Sequence, residues 1–261
     1  MSELIPNLLL SELTARPAAA RLWIAYSGGL DSHVLLHALA GLRDRLGSEL
    51  RAVHLDHQLH PQSARWSAHC RRICADLDLP MTERRLAVER RRGESLEALA
   101  REARYAALAA LLGPDDAVAT AQHRDDQAET LLLALLRGSG VHGLAAMPVR
   151  SALGAGHLLR PLLGVDRATL RAYAEHHGLE WIEDPSNMDT AHDRNLLRHR
   201  VLPLLRQRWP ALAATLTRSA AHCAEAAALI DGLADDRLPV LAGGRPGTLS
   251  VRELRALEPA L

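Results

Sequence analysis

The sequence contains no lysine: its 31 basic residues are all arginine, matched by 31 acidic ones. A Walker-type phosphate loop requires a lysine, and so does a protein Schiff base, so both chemistries are excluded. Phenylalanine is absent too, and aromatic residues make up 3% of the chain, too few for a base-stacking RNA-recognition sheet. Three cysteines, Cys70, Cys74 and Cys223, are too few and too unevenly spread for a disulfide framework, which points to a reducing cytoplasm. No apolar run approaches the ~20 residues of a bilayer span, so no membrane partner is expected. The N-terminus carries acids where a secretory signal would be basic. Zero net charge excludes a uniformly basic nucleic-acid surface but not local arginine clusters.

What is present is an ordinary globular composition, 48% hydrophobic and 24% charged over 261 residues, enough for one large domain and an appendage. Short apolar runs at 22–26, 51–55, 117–121 and 157–159 read as strands, joined by a more polar run at 82–88 that holds Arg84 and Arg85. Helical patterns alternate with them near 31–47, 61–77, 94–112, 126–136 and 166–177, punctuated by Pro80, Gly113-Pro114, Gly138 and Gly178. This alternation predicts an α/β fold, a Rossmann-like parallel sheet with helices on both faces. After Trp209-Pro210 the chain turns alanine-rich and helical to about Leu233, and Ser250 to Glu253 reads as a capping box. The expected division is a catalytic domain over 1–209, then a small helical segment over 210–261 that links to a second domain. The last helix stops in mid-pattern, as in a chain cut from a longer protein.

Ser27-Gly28-Gly29-Leu30-Asp31-Ser32 lies between the first strand and the first of these helices. Paired glycines let the backbone turn and approach a ligand closely, and a helix N-terminus aims free N–H groups at an anion. Two serine hydroxyls add donors, so pyrophosphate is a natural occupant. The simpler alternative is a plain strand–helix turn with Asp31 as N-cap. The SGG-x-DS string resembles the signature of the PP-loop ATP pyrophosphatases, which cleave ATP between its α and β phosphates. That resemblance implies the PP-loop ATPase fold, with ATP as co-substrate cradled by Ser27, Gly28, Gly29, Leu30, Asp31 and Ser32.

A second constellation follows the 117–121 strand: His123-Arg-Asp125-Asp126-Gln-Ala-Glu129. Asp126 and Glu129, and Asp125 and Glu129, fall three and four apart, on one helical face. One acid is explained by the preference of carboxylates for the first helical turn. Three call for a compensating cation, either Mg²⁺ on ATP phosphates or a substrate ammonium. HRDDQAETL, followed by Leu136-Arg-Gly-Ser-Gly140, is similar to the tRNA isoleucine lysidine synthetases. The similarity implies catalytic roles for Asp31, Asp126 and Glu129, with Mg²⁺ on Asp31 and Asp126.

In the 94–105 helix, Leu96, Leu99, Ala100 and Ala103 form an apolar stripe, while Glu97, Arg101 and Arg104 share another. Spacing alone fits a solvated salt-bridged face. The string E-x-x-A-R-x-x-R-Y resembles the same family, which implies that Arg101 and Arg104 act on triphosphate or tRNA charge. Trp181-Ile-Glu-Asp-Pro-Ser-Asn187, then Arg194-Asn195-Leu-Leu-Arg198-His-Arg200, is characteristic of that family, as is Arg160-Pro-Leu-Leu163. The resemblance, spanning Leu22 to Arg208, implies tRNA contacts at Arg194, Asn195, Arg198 and Arg200, and nucleotide contacts at His57 and His123. Neither histidine belongs to a Cys/His set with metal spacing. Asp56 and Gln58 stand where the family more often has asparagine and glycine, and Gln122 where it often has histidine.

The implied reaction joins free lysine to the wobble cytidine of an isoleucine tRNA with a CAU anticodon. The cytosine carbonyl oxygen attacks the α-phosphate of ATP, pyrophosphate leaves, and the lysine ε-amine then displaces AMP at carbon-2. The resemblance further implies that the 210–261 segment begins a tRNA-contacting domain, and it is compatible with a homodimer. Two other readings are a PP-loop tRNA thiolase, for which Cys70 and Cys74 would have to be reactive, and a nucleotide-binding protein without chemistry.

Overall fold

The computed structural model describes residues 3–15, 17–56, 58, 61–86, 96–185 and 189–257. His57 and the Ser186-Asn187 end of the EDPSN string lie outside the described residues, as do the side chains of Leu96 and Glu97. The strands are β1 (Arg21–Ala25), β2 (Glu49–Asp56), β3 (Met81–Arg85), β4 (Asp116–Ala119), β5 (Arg150–Leu153) and β6 (Gly156–Leu159). The first helices are α1 (Leu4–Thr14), α2 (Leu30–Gly41), α3 (Arg43–Leu46), α4 (Ser63–Asp76), α5 (Leu96–Ala109) and α6 (Arg124–Leu136). They are followed by α7 (Val141–Leu144), α8 (Arg167–His176), α9 (Asp193–Leu196), α10 (Leu202–Arg208), α11 (Leu212–Leu241) and α12 (Val251–Arg255). A π-helical turn, Leu197–Val201, joins α9 to α10.

Among the described residues the sheet has six strands in the order β3-β2-β1-β4-β6-β5, parallel except for the edge strand β5. The expected α/β architecture is therefore present, with one antiparallel edge that the sequence reading did not include. β1 is buried on both faces because it is central. Leu22, Ile24 and Tyr26 join the larger core with α1, α2, α4 and α8, while Trp23 packs with Val53, Val118, Leu158 and Leu108 of α5 on the other face. β3 is an edge strand whose Arg84 and Arg85 are exposed, where charge discourages pairing with a second sheet.

Chain order reverses between β1 and β4: β1 leads outward to β2, and β4 leads the other way to β6. Such a switch point opens a crevice at the carboxyl ends of the two strands, which is where ligands bind in open α/β sheets. The 27–32 loop leaves β1 there, and α6 starts there after β4. The helical C-terminal segment is α11, which packs against α6 and α7. Its 30 residues run on past Gly232 and include Pro239. α1 is a helix that the sequence reading did not assign; Ile5 and Leu9 are fully buried on the α2 side of the core.

Candidate active site

The loop is built around Gly28, whose φ of +85° lies in the left-handed region. A Cβ there would sit 2.9 Å from Ile182 Cδ1 and 3.1 Å from Cys70 Sγ, so glycine is required by both backbone and space. The Ile182 N–H donates to the Gly28 carbonyl at 2.9 Å, which seats the Trp181–Asp184 segment against the loop. Ser32 Oγ accepts from the Ser27 N–H at 3.2 Å, lies 3.0 Å from Ser27 Oγ, and donates to the Gly29 carbonyl at 3.0 Å. Gly29, not Asp31, is the N-cap of α2, so the capping alternative for Asp31 does not hold. Asp31 sits in the first turn with Oδ1 buried and without a hydrogen-bond partner. Leu30 buries its side chain in the core and offers the site only its backbone.

His123 is the N-cap of α6 and is 1% exposed. Its Nδ1 accepts from the Asp126 N–H at 3.4 Å, while its own N–H donates to Asp126 Oδ2 at 3.1 Å, a reciprocal box that starts the helix. With Nδ1 accepting, the proton is assigned to Nε2, which lies 3.6 Å from Asp31 Oδ2 and 3.4 Å from Asp126 Oδ2. Burial opposes a charged imidazole, but the hydrogen bond and charge of Asp31, with the charges of Asp126 and Asp125, raise its pKa overall. His123 thus ties the phosphate loop to the acidic helix.

The acids of α6 are spoken for by arginines. Arg198 donates to Glu129 Oε1 at 2.7 Å, to Glu129 Oε2 at 2.8 Å and to Asp126 Oδ1 at 2.8 Å. Arg194 Nε lies 3.3 Å from Glu129 Oε2, and its Nη2 donates to Thr130 Oγ1 at 2.7 Å. Glu129 is 1% exposed; burial pushes its carboxyl pKa up, and Arg198 and Arg194 offset only part of that. Asp125 turns away from this pair, accepting from the Arg167 N–H at 2.9 Å and pairing with Arg206. Burial works against the Asp31 charge, yet His123, Arg167 and Arg198 bring its pKa below the usual value.

The structure therefore brings together Ser27 to Ser32, His123, Asp126, Glu129, Arg194 and Arg198. Arg167 and Arg206 join them unforeseen, through Asp31 and Asp125, and neither lies in a string that the sequence analysis singled out. Arg101 and Arg104 are exposed on α5, where Arg101 stacks over the Tyr105 ring at 4.8 Å and donates to its hydroxyl at 3.2 Å. Arg200 is exposed on the π turn, and Asn195 Nδ2 donates to the Asp189 carbonyl at 2.8 Å. Gln58 adopts φ +53°, a left-handed conformation that favours glycine, with its N–H held by Asp56 Oδ1 at 2.8 Å. Cys70 and Cys74 are buried, and burial pushes their thiols up to about 12 and about 11, so neither is an activated nucleophile.

The family profile of a PP-loop domain matches residues 6–205. The chain belongs to the PP-loop family. Among relatives of this PP-loop chain, a tRNA(Ile)-lysidine synthase from Coxiella burnetii is 47% identical over 236 residues, covering 90% of this chain and 53% of the relative. The tRNA(Ile)-lysidine synthase of Methylococcus capsulatus is 50% identical over 237 residues, covering 90% and 54%. The chain thus spans about half the length of the curated relatives it matches. Among solved structures, a U34-tRNA thiolase from Methanococcus maripaludis superposes with a TM-score of 0.71 at 14% identity, covering 85% of this chain and 78% of that one. At that identity the likeness is one of fold.

Asp31 and Asp126 are the acids of this PP-loop site that could hold a divalent cation. Asp31 Oδ1 is a buried hard oxygen with no hydrogen-bond partner, Arg167 Nε standing 3.9 Å away, and Asp126 keeps spare lone pairs on both oxygens. Among the described residues no group of three His, Cys, Asp or Glu side chains forms a complete metal cage. Phosphate oxygens and water would complete the shell, the usual arrangement for Mg²⁺.

Proposed function

We propose that this chain ligates lysine to carbon-2 of the wobble cytidine in the CAU anticodon of an isoleucine tRNA, consuming ATP and releasing AMP and pyrophosphate. One observation carries the reading. The phosphate loop and the Asp126–Glu129 pair meet in one crevice, with His123 Nε2 3.6 Å from Asp31 Oδ2 joining them. The names and near-half identity of the bacterial relatives support the same substrate.

In this reading the β and γ phosphates lie on the amides and hydroxyls of Ser27 to Ser32, which leaves the α-phosphorus facing α6. Mg²⁺, when bound to Asp31 and Asp126, would neutralise phosphate charge. The cytosine carbonyl oxygen attacks the α-phosphorus, the bond to pyrophosphate breaks, and the loop's N–H donors stabilise the departing charge. Glu129 and Asp126 hold the lysine ammonium beside the adenylated base, and one of them accepts its proton as the amine displaces AMP. Glu129 suits that role because burial raises its pKa and makes it a stronger base than an ordinary carboxylate. Arg101, Arg104 and Arg200 are exposed toward solvent, a placement suited to tRNA phosphates.

Residues 1–209 form the catalytic unit, and 210–261 lead toward tRNA-contacting structure, in a reducing cytoplasm where the thiols stay free. Incubating the protein with an isoleucine tRNA transcript, ATP, Mg²⁺ and lysine should add one lysine to the anticodon cytidine by mass spectrometry. A tRNA that gains sulfur instead, or whose mass is unchanged while ATP is cleaved, overturns the proposal.

A further inference from the structure

We propose that Arg198 is a built-in occupant of the amine site, held on Glu129 and Asp126 until a nucleotide triphosphate on the phosphate loop draws it away. The inference rests on the reading that these two acids receive the substrate ammonium. In this structure they have little room for one. Arg198 Nε takes Glu129 Oε1, its Nη2 takes Glu129 Oε2 and Asp126 Oδ1, Arg194 stands 3.3 Å from Glu129 Oε2, and the His123 N–H takes Asp126 Oδ2. A guanidinium and an alkylammonium are both multi-donor cations, so either satisfies the pair but not both together.

Displacing a fork that is hydrogen-bonded to a buried carboxylate needs a better partner for the fork. Phosphate is that partner, because arginine matches it with the same two parallel donors. Such a phosphate would lie close by: His123 Nε2 stands 3.6 Å from Asp31 Oδ2 and 3.4 Å from Asp126 Oδ2, and Arg198 holds the other oxygen of Asp126 at 2.8 Å. Arg198 also sits in a π-helical turn, a backbone form with a wider, more easily rearranged ladder that recurs at functional sites. The consequence is an order of events. Nucleotide binds first, the fork swings to its phosphates, and the acids open for the amine. Lysine is thereby kept out until there is something to adenylate.

The test is equilibrium binding of L-lysine to the protein alone and with Mg²⁺ plus α,β-methylene-ATP. Nucleotide should tighten lysine binding about tenfold or more, and lysine should tighten nucleotide binding by the same factor, since coupling is reciprocal. Arg198→Met should bind lysine without nucleotide as tightly as the native protein does with it. Arg198→Lys, a shorter side chain without the planar fork, should fall between. If Arg198→Met does not fold, the native protein and Arg198→Lys still decide. Lysine binding that depends on Glu129 but ignores both nucleotide and Arg198 overturns the occupant role alone. Binding undiminished in Glu129→Gln, or no lysine binding in any arm, overturns the amine-site reading and the occupant role with it.

Discussion

Arg198 grips both oxygens of Glu129 across 69 residues of sequence, at 2.7 and 2.8 Å. This contact closes the helix pair α9–α10 onto α6 and turns two separate motifs into one site. Glu129 is nearly inaccessible, so its charge is tolerated only because arginines face it. The first expectation follows from that dependence. Glu129→Gln and Asp126→Asn should each lower lysine ligation by about 10²-fold or more, by removing the amine's base and counter-ion. Circular dichroism should show an intact fold, with a stability loss of about 1–3 kcal/mol for leaving Arg198 partly unpaired. Normal turnover in both variants would dismiss the assignment.

The glycines of the loop should respond unequally. Gly28→Ala meets a positive φ, about 1–2 kcal/mol of strain, and places Cβ against Ile182 and Cys70, about 1–3 kcal/mol more. Gly29→Ala has φ −77° and its nearest neighbour at 3.5 Å, so its thermal midpoint should be close to native. Calorimetry with and without nucleotide distinguishes them: Gly28→Ala should unfold earlier and lose nucleotide binding. Equal midpoints for the two variants would show that the loop is not held as described.

The ionisation of Glu129 gives a signed pH dependence. Its folded pKa is raised above the ordinary glutamate value, so the folded state binds that proton more tightly. Its contribution to stability is full below the unfolded pKa and is lost as pH rises through the folded one. Native protein should therefore lose stability relative to Glu129→Gln as pH climbs through that window. Ligation should show the opposite trend, with an acid limb above the ordinary glutamate range, because the working form is the carboxylate. An acid limb at or below that range would rule Glu129 out as the base.

Sulfur chemistry makes a separate demand on Cys70 and Cys74, and the structure argues against it through their raised pKa values. A Cys70→Ala, Cys74→Ala variant should keep its ligation rate while losing about 1 kcal/mol per site from the emptied volume. Loss of ligation in a folded double variant would show that the thiols take part in the chemistry.

Much of this molecule is legible in its sequence, for identifiable reasons. β1, β4 and the middle of β2 are apolar because they are covered on both faces, and the SGG-x-DS turn shows its chemistry in residue type and order. β5 is a four-residue, half-exposed edge that exists only through its pairing with β6, and nothing local in Arg150–Leu153 marks it. α1 has buried Ile5 and Leu9, but a leucine-rich N-terminus needs the α2 surface to reveal which side faces inward. His123 as N-cap was hidden because histidine is not a usual capping residue, so the helix was expected to begin later, at Asp126. The partnership of Arg194 and Arg198 with the acids is tertiary, set by how α9 folds back on α6, and residue spacing within either motif does not contain it.

The most direct measurement is a crystal structure of the protein with Mg²⁺ and α,β-methylene-ATP. The β and γ phosphates should rest on Ser27 to Ser32 with the α-phosphorus turned toward Asp126 and Glu129. A triphosphate seated away from that loop, or one whose α-phosphorus faces the α5 side of the sheet, would refute a shared ligation site.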